Sequence, residues 1–225
     1  MAALVYLKKV EEALDESESG GCIATICGRY YSMDRDHRWE RTELAFNAMV
    51  NGKGRTSENA RYAIEEAYAM DETDEFIKPT VLSECELVES DDNVIFFNFR
   101  GDRALEITAA FEEDDFDKFD RVRRPNVIYA GMMEYDGDLH IPSNYLVNPP
   151  KIDRSVSEYM CAEGINTFAI SETQKYGHVT YFWNGNKSGY VCKDHETYVE
   201  IPSDKILEMI IIFPLHLYLL LIFFI

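Results

Sequence analysis

The sequence predicts an α/β fold. Val94–Phe99 (VIFFNF) is a strongly β-prone run, followed at once by Arg100-Gly101-Asp102-Arg103 and a helical stretch over 104–111, a strand–turn–helix unit. Upstream, residues 36–50 and 57–70 repeat apolar side chains at helical spacing. With 46% hydrophobic and 28% charged residues over 225 positions, the chain has a globular composition and enough length to bury a core.

Each element follows from local pattern. Leu4, Leu7, Val10 and Leu14 recur at helical spacing, so residues 3–14 read as a helix closed by Gly20-Gly21. The apolar run Cys22–Cys27 (CIATIC) reads as a strand ended by Gly28-Arg29. In the helix over 36–50, Trp39, Thr42, Phe46, Met49 and Val50 share one face, and Asn51-Gly52 stops it. The helix over 57–70 turns Ala60, Ile64, Ala67 and Tyr68 inward. Residues 112–120 (EEDDFDKFD) form an acidic, solvated run, and 127–133 a strand. Tyr135-Asp136-Gly137-Asp138 is a turn, and the Pro-punctuated stretch 141–150 reads as a linker between domains. Beyond it a helix is expected over 155–163, with strands over 167–171 and 177–183 (GHVTYFW).

Charge narrows the partners. Asp and Glu number 41 against 22 Lys and Arg, a formal net of −19, and such a field repels nucleic acid and anionic membrane surfaces. A small anionic ligand must therefore be held by locally clustered arginines. The five cysteines show no C-x-x-C pair and no spacing suited to zinc, so reduced structural thiols in a cytoplasmic protein are expected. The N-terminus, amphipathic and carrying Lys8, Lys9, Glu11 and Glu12, does not read as a signal peptide. Met209–Ile225 is a nearly continuous apolar tail that reaches the lower edge of a bilayer span.

Two segments place arginines between a strand and a helix: Gly28-Arg29-Tyr30-Tyr31-Ser32-Met33-Asp34-Arg35-Asp36 and Phe97-Asn98-Phe99-Arg100-Gly101-Asp102-Arg103. Helix starts favour anions, and arginine adds a planar fork that grips phosphate or carboxylate at two points. The competing reading is structural: the same arginines would pair with Asp34, Asp36 and Asp102 as ion pairs. Patterning alone leaves both open. The tripeptide Arg100-Gly101-Asp102 is not read as an adhesion motif in this context.

GRYYSMDRDHRW, NVIFFNFRGDRA and ISETQKYGHVTYFWNG resemble three segments of the cofactor-independent phosphoglycerate mutases, and KFDRVRRPNVIYAGMMEYDG and SNYLVNPPKIDRSVSEYM fit the same family in the same order. The resemblance runs over about residues 3–206. It implies two α/β domains: an alkaline-phosphatase-like domain carrying a nucleophilic serine and two Mn2+, and a substrate-binding (transferase) domain inserted into it. On this resemblance residues 1–140 are the substrate-binding domain without its N-terminal part and 141–150 a hinge. Residues 151–206 are part of the phosphatase-like domain, and 207–225 an apolar tail outside the family pattern.

The resemblance implies substrate-binding roles for Arg29, Arg35, Arg100 and Arg103, with Gly101 and Asp102 inside the same motif. Lys175 matches a lysine that lies near the phosphoryl group, and His178 is read as structural. Gly101 departs from the usual Pro or Ala and is expected to soften the turn; His37 stands where Asn is common. The implied reaction interconverts 3-phosphoglycerate and 2-phosphoglycerate in glycolysis, with no 2,3-bisphosphoglycerate cofactor, in a protein usually monomeric. The serine and the metal ligands are expected to be missing, leaving a fragment inactive alone. A break in mid-domain makes the tail read as an artefact of truncation, with membrane binding unlikely. The alternatives are a membrane-tethered, non-catalytic anion-binding protein that uses the tail as anchor, and an unrelated anion-binding α/β module.

Overall fold

The helical spacing at the N-terminus is realised as α1 (Ala3–Glu16) in the computed structural model, which describes residues 1–17, 20–83, 85–137, 139–148, 150–202 and 221–224. The chain divides into two units, one of residues 1–135 and 141–147, the other of 136–140 and 148–225.

In the first unit, α1 packs on α4 (Ala60–Ala69), which starts at Asn59, whose side chain accepts the Tyr62 N–H at 2.9 Å. Ala60, Ala63, Ile64 and Ala67 recur on one face of α4, and together with Leu7, Ile77 and Leu82 they form one core cluster. The small alanines allow close approach of the two helices. Beneath lies a sheet in the order β1 (Thr25–Ile26), β3 (Thr80–Leu82), β2 (Arg55–Ser57), with β1 antiparallel and β2 parallel to β3. The run expected as a strand over 22–27 pairs only at Thr25 and Ile26, because the chain leaves the sheet at Gly28, whose N–H goes to the Ile77 carbonyl at 2.8 Å.

A second, all-parallel sheet runs β4 (Asn93–Phe96), β5 (Ile128–Met133), β6 (Tyr145–Val147). Helices α3 (Trp39–Asn51) and α5 (Leu105–Glu112) cover it through Phe46, Val50, Ile107, Ala110, Phe111 and Tyr129. Gly52, left-handed at φ 64°, ends α3 as expected. Strand β6 falls inside the stretch read as a linker. Its register is set by Asn144, which accepts the Gly131 N–H at 3.0 Å and donates to the Tyr129 carbonyl at 3.1 Å. The acidic run 112–120 is also more than a solvated surface, since Phe116 and Phe119 pack against the second core.

The second unit holds α6 (Val156–Ala162), opened by a capping box in which Ser155 and Glu158 satisfy each other's backbone N–H. Its sheet places β7 (Thr167–Glu172) between the parallel β8 (Glu196–Ile201) and the antiparallel β9 (Leu221–Phe224). The strand expected over 177–183 does not form. Helix α7 (Thr173–Val179) occupies its start, and helical-type bonds continue from Thr180 N–H to Tyr176 and from Asn184 N–H to Thr180. Buried Asn184 bonds the Ser157 and Tyr198 hydroxyls at 2.7 Å each, so tertiary contacts override the β-prone residues.

The expectation of reduced thiols is also corrected. Cys22 is joined to Cys85 and Cys161 to Cys192, with Cα–Cα separations of 6.1 and 5.7 Å, and Cys27 is free. Pairs 63 and 31 residues apart are brought together by tertiary folding, which spacing does not reveal. Most of the apolar tail, residues 209–220 and 225, lies outside the described residues; its residues 221–224 are β9. No helix among the described residues is long and apolar enough to cross a membrane.

Candidate anion-binding site

The first arginine segment is pinned by backbone. Tyr30 N–H donates to the Glu75 carbonyl at 3.0 Å, and a Cβ on Gly28 would come within 2.3 Å of that oxygen. Only glycine allows this approach. Arg29 opens the four-residue helix α2 (Arg29–Ser32) and reaches Glu75 at 2.9 Å. After Met33 the chain makes a tight turn around buried Asp34. One Asp34 oxygen accepts the N–H groups of Asp36 and Arg38, each at 3.0 Å, and the other accepts from buried Arg41 at 2.9 Å. The Arg41 guanidinium also stacks 3.8 Å from the centroid of the Tyr30 ring.

The second segment leaves β4, runs extended through Asn98, and forms one 3-10 turn at Gly101–Arg103 before α5. Buried Tyr135 braces it: its hydroxyl lies 2.7 Å from the Asn98 carbonyl and accepts the Met132 N–H at 3.0 Å. A Cβ on Gly101 would sit 2.8 Å from the Tyr135 carbonyl oxygen. Gly101 is therefore packed against Tyr135 rather than a soft point in the turn.

The two segments meet at Asp102. Arg35 Nη1 reaches its Oδ2 at 2.9 Å, while Arg100 Nε and Nη2 grip Oδ1 and Oδ2 at 2.7 and 3.0 Å. Burial alone would raise the Asp102 carboxyl, but the bonds from Arg100 and Arg35 outweigh it and hold the group below the usual carboxylate range. Arg103 donates to the Met33 carbonyl at 2.8 Å. Burial first, then the charges of Arg35, Arg100 and Arg29, push Arg103 below the ordinary arginine value. Arg35 and Arg100 thus gather on Asp102 with Arg103 fastened to Met33 beside them, while Arg29, whose charge bears on Arg103, is paired to Glu75. The Nε atoms of Arg35 and Arg103 and the amide nitrogen of Asn98 are buried without a hydrogen-bond partner among the described residues.

Both readings of the arginines hold in part. Asp102 is an ion-pair partner, as the structural reading expects, yet it gathers Arg35 and Arg100 in one place. A carboxylate repels an anionic ligand, so Asp102 serves the site by orienting its neighbours. The two arginine segments lead through the four-residue α2 and the three-residue 3-10 turn into the longer α3 and α5. Lys175 lies in the first turn of α7 and His178 in its last turn, both in the second unit; the other six residues expected at the site belong to the first.

Sequence reasoning missed Arg41, Tyr135 and Glu106. Glu106 is 4% exposed; its Oε1 accepts the His37 N–H at 3.0 Å and its Oε2 the Thr42 hydroxyl at 3.1 Å. A lone acid in the otherwise apolar stretch 104–111 is the signal that marks it. His37 itself has φ 55°, the left-handed region in which His, Asn and Asp are the commonest residues after glycine. His37→Asn should leave stability within about 0.5 kcal/mol, measured by urea denaturation, because His37 is exposed, both residue types suit this backbone, and the bond to Glu106 uses only the backbone.

The manganese implied by the resemblance has no fitting donor set here, since no three His, Cys, Asp or Glu side chains group to hold a metal ion among the described residues.

A family model described as the BPG-independent PGAM N-terminus matches residues 1–137. The 2,3-bisphosphoglycerate-independent phosphoglycerate mutase of Trypanosoma brucei brucei is 47% identical over 213 residues, covering 89% of this chain and 39% of the relative. A probable enzyme of the same name from Leptospira interrogans is 47% identical over 216 residues, covering 91% and 39%. The crystal structure of Leishmania mexicana phosphoglycerate mutase at low cobalt concentration superposes with a TM-score of 0.85 at 45% identity, over 91% of this chain and 39% of that one. The chain spans about two-fifths of the length of these relatives. With the family model matching more than half of its residues, the chain belongs to the 2,3-bisphosphoglycerate-independent phosphoglycerate mutase family.

Proposed function

We propose that this chain carries the substrate clamp of a mutase that interconverts 3-phosphoglycerate and 2-phosphoglycerate through a phosphoserine intermediate. The observation that supports it best is the pair of buried Nε donors of Arg35 and Arg103 that have no partner among the described residues, within the group of arginines around Asp102. Four guanidiniums against the carboxylates of Asp102 and Glu75 leave local positive charge in a chain of net −19. Guanidinium forks match both the carboxylate and the phosphate of such a ligand.

In this reading the phosphoryl group passes to a serine and returns to the other hydroxyl while the glycerate stays bound. The arginines' task is retention and orientation. They hold the glycerate carboxylate so that either hydroxyl can be offered without release, an advantage of proximity that no charge acting from solution supplies. Arg103 and Arg35, fastened to Met33 and Asp102, hold their guanidiniums in place before the ligand arrives. Lys175 is assigned the phosphoryl-binding role on the resemblance of its SETQKYGH segment. Two Mn2+, a cytoplasmic location and a place in glycolysis belong to the same reading, and 2,3-bisphosphoglycerate is not its cofactor.

Calorimetric titration of the 225-residue chain with 3-phosphoglycerate tests it. Saturable one-to-one binding is expected, and no 2-phosphoglycerate should form even with manganese added. Absence of binding would remove the clamp reading; turnover by these residues alone would show that they contain a nucleophile not recognised here.

A further inference from the structure

Glu106 sits behind the turn that presents one of the four arginines, bonded to that turn through the His37 N–H. Its two carboxyl oxygens take the His37 N–H and the Thr42 hydroxyl. Asp34, 4% exposed, lies beside it and holds the N–H groups of Asp36 and Arg38. Arg35 stands between these anchored residues, and Arg103 is fastened to the carbonyl of Met33, immediately before them. We propose that Glu106 is a positioning residue for the arginine cluster: by fastening the Asp34–His37 turn to α5 it holds Arg35, and the Met33 carbonyl that receives Arg103, in place.

The proton on Glu106 is part of the device. Burial first, then the neighbouring Asp34 carboxylate, push the Glu106 carboxyl up to about 8. Two carboxyls share this interior with the Arg41 guanidinium, which is bonded to Asp34. The turn itself carries the titratable His37 and the charged Asp36 and Arg38, and Arg103 and Asp102 stand three and four residues before Glu106, with Arg35 and Arg100 bound to Asp102. A neutral Glu106 donates to Asp34 and accepts from His37 and Thr42. An ionised one sets two carboxylates against each other, and the turn is the movable part.

This inference rests on the clamp reading, and its test separates the two. The full chain, 15N-labelled, is titrated from pH 6 to pH 9 as wild type, E106Q and E106A. The indole N–H resonance of Trp39, the first residue of α3, reports the turn, and calorimetry reports affinity for 3-phosphoglycerate. In wild type the Trp39 resonance should move with a midpoint near 8, and the Kd should rise about tenfold between pH 7 and pH 9 as the competent fraction falls. Glutamine keeps the donor and the acceptor, so E106Q should lose the Trp39 transition with its midpoint near 8 and keep at pH 9 the affinity it has at pH 7. E106A should bind weakly throughout. A wild-type pH profile in E106Q would overturn the proposal, because another group would then be titrating. If Trp39 behaves as stated and no protein binds 3-phosphoglycerate, the positioning role stands and the clamp reading fails. If binding occurs with one pH profile in all three proteins, the clamp stands and the role of Glu106 falls.

Discussion

Arg103→Lys should weaken 3-phosphoglycerate binding roughly 10–100-fold although it leaves the net charge unchanged, since a lost hydrogen bond to a charged group is worth about 1.5–3 kcal/mol. Arg103 has two tasks in this structure. Nη1 holds the Met33 carbonyl at 2.8 Å, and Nε is buried without a partner among the described residues. A guanidinium serves both with one rigid fork, whereas the single ammonium of lysine reaches either Met33 or the ligand. The repulsion from Arg35, Arg100 and Arg29 that already bears on Arg103 remains in the variant, so the difference isolates geometry from charge. Arg103→Ala should lose more, because the Met33 anchor goes with it. Calorimetry at neutral pH, with a melting curve to show that each variant folds, is the measurement. Affinity within twofold of wild type for Arg103→Lys would mean that the cluster acts as a diffuse positive field, and the fork argument would fail.

Asp34→Ala should cost about 3–5 kcal/mol of stability, the largest expected effect of any single change here, because it strips a buried guanidinium of its carboxylate. Asp34 and Arg41 are 4% and 7% exposed, and their 2.9 Å bond lies where water does not replace a lost partner. The same change releases the Asp36 and Arg38 N–H groups. At about 2–4 °C per kcal/mol for a chain of this size, the melting transition should fall by roughly 10 °C. A pH signature accompanies it. Glu106 has a folded value of about 8 against an ordinary 4.5, so its contribution to stability is fully present below 4.5 and is lost as pH rises through 8. Removing Asp34 removes one cause of that shift, and the loss of stability between these limits should become shallower. A melting temperature unchanged within 2 °C would show that the turn does not depend on the buried pair.

Much of the fold was legible because its cause is local. Helices α1, α3, α4, α5 and α6 lie close to the ranges that local pattern predicts, and Gly52 ends α3. The parallel unit from β4 through α5 to β5 follows from β-prone and helical periods in succession. The errors fall where a distant partner decides. Tyr145–Val147 looks like linker until Asn144 docks it on β5. Residues 180–183 are β-prone in isolation, yet they continue from α7 beside buried Asn184. The disulfide partners lie 63 and 31 residues apart, a separation that carries no pattern.

The site divides the same way. Residue type and the strand–turn–helix context determined by themselves that Arg29, Arg35, Arg100 and Arg103 were the groups to watch, since a guanidinium fork states its chemistry wherever it stands. That Arg35 and Arg100 share one carboxylate 67 and 2 residues away, and that Arg103 is tied to Met33, only the tertiary structure decided. The same holds for Glu106. A sequence records an acid in an apolar helix; whether it is ionised depends on burial and on the distance to Asp34, and both are properties of the folded chain.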